Sequence, residues 1–197
     1  MITAKFNFSL IFSMMFFLHM LCMSCDKYKN IQEPRNETAL YVLPFPVGVT
    51  YTCTQSFDGH ISHYGVFKYA VDFAMPIGTI ITVARRGRVV FVEEHFEDRY
   101  TGSETDNVVV IIHEDSTYAR YAHIKRNGVL VEVDQEVSEG DTIALSGCSG
   151  TIAPHLHFDV TQDCPYRDCQ TIPFSFRNCN PPHDPLVRGT AYTAEPY

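Results

Sequence analysis

Basic residues are in short supply. Lysine and arginine number 15 against 23 aspartates and glutamates, a formal net charge of −8. That balance excludes a general phosphate-binding surface, and nucleic acid is not an expected partner. Arg85, Arg86 and Arg88 cluster, but three arginines on one strand and turn read as a solvated sheet edge. Also missing is any long stretch with apolar residues at helical spacing, which excludes a helical bundle. Downstream of residue 25 the cysteines lack the paired C-x-x-C spacing of a thiolate zinc site.

What the chain does have begins with an apolar run. Residues 1 to 24 are rich in Phe, Leu and Met, carry Lys5 as their lone charge, and end at Leu21-Cys22-Met23-Ser24-Cys25 before Asp26 and Lys27. This pattern predicts an export signal and a location in the periplasm or cell envelope. A small residue ahead of a cysteine at the end of such a run resembles a bacterial lipobox, which makes Cys25 the candidate for lipid attachment to a membrane. An ordinary cleaved signal and an uncleaved anchor are the alternatives. Residues 25 to 40 are polar and read as a tether.

Removing Lys5 with the leader takes the net charge from −8 to −9 and leaves about 170 residues, enough for one domain with a sizeable core. That domain is expected over residues 41 to 197, as a monomer. Cys53, Cys148, Cys164, Cys169 and Cys179 fall within it, and export permits disulfides. Their odd number leaves at least one thiol outside any internal pairing, and connectivity does not follow from spacing.

Ile80 to Val83, Arg88 to Glu93, Asn107 to His113, Thr117 to Ala122, Val129 to Val133 and Thr142 to Leu145 are short β-like runs. Turns at Gly78, Gly87, Asn127-Gly128 and Gly140-Asp141 separate them. Tyr51 to Gln55 alternates like an edge strand, and Ser56 to Tyr69 reads as a loop. The tail from about residue 161, with Pro173, Pro181, Pro182 and Pro185, reads as irregular. The predicted class is all-β: antiparallel sheets folded on each other like a sandwich, with an open groove for a metal site.

The chemistry concentrates between Ser146 and Val160, where Pro154-His155-Leu156-His157-Phe158 follows a glycine loop. Side chains two apart on a strand leave from one face, so His155 and His157 point together while Leu156 and Phe158 point into the core. A half-buried strand that happens to carry two histidines is the plain alternative. It loses ground because upstream segments offer an acid and further histidines.

Three segments line up: His63 with Val71-Asp72-Phe73-Ala74-Met75-Pro76-Ile77-Gly78-Thr79, then Tyr121-Ala122-His123-Ile124, then Pro154-His155-Leu156-His157-Phe158. In this order they resemble the lysostaphin-type, LytM-like zinc metalloendopeptidases, which cut peptidoglycan peptides. The resemblance covers roughly Leu43 to Val160. It implies His63, Asp72 and His157 as ligands of one Zn2+, His123 and His155 as catalytic histidines, and peptidoglycan peptides as substrate. The division agrees with zinc chemistry, since a hydrolytic zinc keeps three protein ligands and an open position for water. Two neutral imidazoles and one carboxylate leave the ion net positive, which helps it ionise that water with a pKa of about 7. Which of His123 and His155 moves the proton stays open.

The chain also departs from the family pattern. Lys68 stands where the family's first ligand histidine is usual, and His63 lies nine residues before Asp72. This implies a loop inserted over Gly65 to Ala70, with His60 as the alternative ligand. Phe57 occupies the neighbourhood of a tyrosine the family often uses near the oxyanion, and neither Tyr51 nor Tyr64 is assigned that role. Cys148 sits in the glycine loop. His95, His113 and His183 are left out of the site, and Asp159 belongs either beside it or at the surface. Two other functions compete: a catalytically silent relative that binds or activates another wall hydrolase, and a cupin-like metal protein. The cupin motif wants a glutamate shortly after the second histidine, where this chain has Val160, Thr161 and Gln162.

Overall fold

Runs of β-branched and aromatic residues between glycine turns fold as strands because such side chains pack well on a pleated surface. The structure, a computed structural model, describes residues 40–102 and 105–197. The expected leader, Cys25 and the tether up to residue 39 lie outside the described residues. The strands are β1 (Thr50–Gln55), β2 (Val71–Ala74), β3 (Ile80–Thr82), β4 (Gly87–Glu93), β5 (Val108–Ile112), β6 (Thr117–Ala122), β7 (Ile124–Val129), β8 (Glu136–Val137), β9 (Thr142–Ser146), β10 (His155–Gln162), β11 (Cys179–Asn180) and β12 (Ala191–Ala194). Among the described residues the helical element is a single 3-10 turn at Gly65–Phe67.

Nine strands form one sheet in the order β11-β12-β1-β2-β10-β6-β5-β4-β8, and β3-β9-β7 form a smaller one. Every strand pair is antiparallel, which agrees with the expected class. Side chains from both sheets meet in one core, with Ile81, Ile124 and Ile143 packed with Val109, Ile111, Tyr121, Leu156 and Phe158. The unbroken apolar run of β5 follows from its place in mid-sheet. Val109 and Ile111 enter the main core, while Val108 and Val110 join Ala122 on the opposite face.

Three local expectations need correction. Tyr51 to Gln55 is not an edge strand, because β1 pairs with β2 on one side and β12 on the other. The tail is accordingly not all irregular: Ala191–Ala194 supplies the missing partner and buries Tyr192 completely. A four-residue strand between prolines has too little alternation to be read, but the open backbone groups of β1 give it a template. Val129 to Val133 is replaced by Ile124–Val129, where Lys125-Arg126-Asn127 stands at the edge of the small sheet facing solvent and so lacks an apolar pattern.

Cys164 and Cys169 form a disulfide, while Cys53, Cys148 and Cys179 are buried free thiols. The crowded cysteines are thus a cross-link rather than a thiolate metal site.

Two predictions follow from the core. Phe158 is fully buried, with its ring centroid 5.1 Å from both Tyr121 and Phe174. Phe158→Ala should cost about 3–5 kcal/mol of stability, measured by denaturant unfolding. His113 is buried against Tyr41, with Nδ1–H donating to the Arg86 carbonyl at 2.8 Å and Nε2 unpartnered. Burial lowers its pKa to about 4. The unfolded chain takes up that proton near pH 6.5 and the folded one only near 4, so stability falls as pH drops through this window. The loss should reach about 3 kcal/mol, and His113→Leu should show a shallower decline in unfolding temperature from pH 6.5 to 4.

Candidate metal centre

The site begins with strand register. In the antiparallel pairing of β2 with β10, Asp72 lies directly opposite His157, and Ala122 of β6 flanks His157 on the other side. Directly opposed residues share a sheet face with Cβ atoms roughly 5 Å apart, so hydrogen bonding of the backbone alone brings carboxylate and imidazole together. His157 Nδ1 lies 3.0 Å from Asp72 Oδ1.

His63 arrives from the loop between β1 and β2. Gln55 organises that loop: its Oε1 accepts from the Ile61 and Ser62 amides at 3.0 and 3.1 Å, and its Nε2 donates to Asp72 Oδ2 at 3.0 Å. One side chain therefore fixes both the loop and the orientation of the carboxylate. The chain folds back through the 3-10 turn, and Lys68 points outward to Asp58 at 3.6 Å. His60 is exposed, whereas His63 is completely buried.

The tautomers follow from the partners. His63 Nδ1 sits 3.0 Å from the Ser56 carbonyl, which can only accept, so the proton is on Nδ1 and Nε2 is bare. That bare Nε2 has no hydrogen-bond partner, yet it lies 3.1 Å from Asp72 Oδ1. His157 faces a carboxylate oxygen from each ring nitrogen, Nε2 at 2.9 Å from Asp159 Oδ2 and Nδ1 at 3.0 Å from the same Asp72 oxygen; with Nε2–H donating to Asp159, Nδ1 is the nitrogen turned toward Asp72 and His63. Lone pairs aimed at a carboxylate oxygen repel it unless positive charge lies among them. The ligand atoms of His63, Asp72 and His157 all fall within 4.8 Å of one another, so the residues present fit a divalent cation.

The electrostatics agree. Burial opposes charge on His157, but its hydrogen bonds to Asp159 and Asp72 outweigh it and raise the ring to about 9. Burial likewise works against the Asp72 carboxylate, while His157 and His63 hold it well below the usual carboxylate range.

His123 and His155 complete the cluster. His123 sits between β6 and β7 with φ at 63°, a left-handed conformation that turns its ring toward the site. Its Nδ1 donates to the Ser149 carbonyl at 2.7 Å, and His155 Nδ1 donates to the Ala153 carbonyl at 2.8 Å. Both Nε2 atoms are therefore bare acceptors. His155 Nε2 is 3.7 Å from Asp72 Oδ1, and the two ring centroids are 4.6 Å apart. Burial pushes both rings below the usual histidine range, His123 the further because the charges of His155 and His157 add to it.

The glycine loop serves this placement. Gly147 N–H donates to the His123 carbonyl at 2.9 Å, and a Cβ at Gly147 would come within 2.4 Å of the Lys125 backbone nitrogen.

The His157, Ala122 and Val108 positions are cross-strand neighbours, so the sheet face that carries the site continues into β5. There a cavity of about 700 Å3 opens over Val108, Val110, Tyr118 and Arg120, walled by Phe96 and Tyr166. His95 and His183 are exposed, and His113 lies outside the cluster. Phe57 packs between Tyr69 and Phe174, and Tyr64 is exposed.

The sequence profile of Peptidase family M23 matches residues 66–169, over half of the chain. The chain belongs to peptidase family M23. The match takes in Asp72, His123, His155 and His157 and stops short of His63, whose loop is the departure noted from the sequence. Peptidoglycan DD-endopeptidase ShyA of Vibrio cholerae is 36% identical over 121 residues, 59% of this chain and 26% of that protein. Murein hydrolase activator NlpD of Escherichia coli is 32% identical over 90 residues, 46% of this chain and 22% of that protein. The chain thus aligns with about a quarter of the length of these relatives. Among solved structures, a mutant of the catalytic domain of the prophage-encoded M23 protein EnpA of Enterococcus faecalis aligns with a TM-score of 0.52 at 24% identity. That alignment covers 66% of this chain and 93% of that one, and it shows the fold alone. M23 members are zinc metallopeptidases, in keeping with the His-Asp-His donor set.

Gln55 and Arg120 escaped the sequence reading, because glutamine and arginine on strands carry no motif signal. Asp159, left between site and surface, is completely buried beside His157. Gly147→Ala should destabilise the M23 domain by about 1–3 kcal/mol through overpacking against Lys125, read as a lowered denaturation midpoint.

Proposed function

We propose that the chain is an exported zinc metalloendopeptidase that hydrolyses peptide bonds in peptidoglycan cross-links or stem peptides. One observation carries this reading: Nε2 of His63, Nδ1 of His157 and Oδ1 of Asp72 face one another, with the bare Nε2 atoms of His155 and His123 alongside. His63, Asp72 and His157 would hold a single Zn2+. A zinc ion in such a site lowers the pKa of a coordinated water to about 7 and polarises a carbonyl.

The remaining chemistry belongs to the side chains. His155 takes a proton at Nε2, since its Nδ1–H is committed to the Ala153 carbonyl and the ring is held toward Asp72. Once protonated, the same nitrogen becomes the donor that returns the proton to the leaving amine. His123 performs the complementary task of steadying the reacting carbonyl group. With 4.6 Å between centroids in a buried setting, the two rings do not both carry a positive charge at the same time. The substrate peptide lies extended over the open sheet face, with side chains reaching the cavity above Val108 and Val110.

The apolar leader over residues 1–24 directs export, Cys25 offers a lipid attachment point in the envelope, and residues 41–197 act as a monomeric catalytic domain. A second reading, an activator without catalysis, draws support from the similarity to NlpD. Against it, candidates for all three ligands and both proton-handling histidines are present together.

Metal analysis coupled to a wall-digestion assay tests the proposal. His157→Ala should lose zinc and activity, whereas His155→Ala should keep zinc and lose about 10²–10⁴ in rate. Wild type that binds no zinc and releases no peptide from peptidoglycan would refute the enzyme. Zinc-loaded wild type that releases nothing but stimulates another wall hydrolase would establish the second reading.

A further inference from the structure

Behind the candidate ligands lies a buried ionic chain that the mechanism above does not use. Arg120 of β6 and Asp159 of β10 are cross-strand partners; the Asp159 side chain is completely buried and that of Arg120 nearly so. Arg120 donates twice, through Nε at 3.1 Å and Nη2 at 2.6 Å, and both bonds go to Asp159 Oδ2. His157 Nε2 donates to that same oxygen at 2.9 Å. The other carboxylate oxygen, Oδ1, is buried with no hydrogen-bond partner.

This distribution is not what a pair serving stability alone would adopt. An arginine and a carboxylate paired for their own sake bond as a fork, two nitrogens to two oxygens, and leave neither oxygen orphaned. A buried pair is in any case weak evidence of stabilisation, because desolvating two charges offsets their attraction. Here three donors converge on the one oxygen that touches a candidate metal ligand. The Phe67 ring closes the arrangement from outside, 5.2 Å from the Arg120 guanidinium carbon and 5.8 Å from the His157 ring centroid. Phe67 belongs to the 3-10 turn of the loop that delivers His63, so one segment both supplies a ligand and roofs the chain behind another.

We propose that Asp159 and Arg120 are positioning residues of the metal centre. Asp159 holds His157 in the Nε2–H tautomer with Nδ1 aimed at the cation, and Arg120 holds Asp159 in place as an ionised acceptor where no water can do so. The proposal rests on the zinc peptidase reading and deepens it, since it names the groups that make His157 a competent ligand. A carboxylate hydrogen-bonded to the far nitrogen of a ligand histidine fixes the ring and strengthens its donor atom.

The test separates this role from a structural one by measuring zinc affinity of the purified protein by competition with a chromophoric chelator. Visible absorption of the Co2+-substituted protein and thermal unfolding of the metal-free protein are followed alongside. In Arg120→Met/Asp159→Leu both charges leave together, so no unpaired charge stays buried. This double variant should unfold as the wild type does, yet bind zinc about 10–100-fold more weakly and show an altered cobalt spectrum. Asp159→Asn is nearly isosteric and keeps an acceptor for Nε2–H, so its loss should be smaller, about 10-fold. Wild-type affinity and an unchanged cobalt spectrum in either folded variant would overturn the proposal. Should the double variant fail to fold, Asp159→Asn alone decides. Wild type that takes up no zinc would instead sink the metallopeptidase reading itself.

Discussion

The structure depends on the pairing of β2 with β10, which sets Asp72 directly across from His157. Backbone hydrogen bonds fix that register, and a slip by one residue would send either side chain to the opposite face, into the core that holds Phe73, Leu156 and Phe158. The apolar contacts of one face thus determine which polar groups meet on the other. A carboxylate and an imidazole lone pair held in this way repel each other until a cation or proton comes between them. The site is therefore built to receive positive charge among these atoms.

Around this pair the remaining groups arrive by different routes. His155 and Asp159 come with β10, so their positions follow from strand periodicity. His123 comes from a left-handed residue at the junction of two strands that belong to different sheets, braced by a glycine loop that admits no side chain. His63 comes from a loop folded back by Gln55 and a 3-10 turn. The family match begins after His63, within this loop. Loops tolerate insertion where a strand in mid-sheet does not.

The face that carries the site is continuous with the cavity over β5 and β6, and Arg120 belongs to both, lining the cavity and bonding Asp159. An extended peptide on that face would be bounded by the disulfide-closed segment from Cys164 to Cys169, which contributes Tyr166, and by the loop that contributes Phe96.

Much of this was legible in the amino-acid order. Strand alternation announced the all-β class and the shared face of His155 and His157, local properties governed by the two-residue repeat of the β-strand. Asp72 and His123 stood out through the family resemblance of their short motifs. What lay beyond reach was everything that joins distant segments: β12 completing β1, Gln55 reaching Asp72, and Arg120 meeting Asp159 across a strand pair. Each depends on register and chain return between residues far apart in sequence, and a polar side chain takes its role only when burial removes water as its partner and leaves one neighbour to bond.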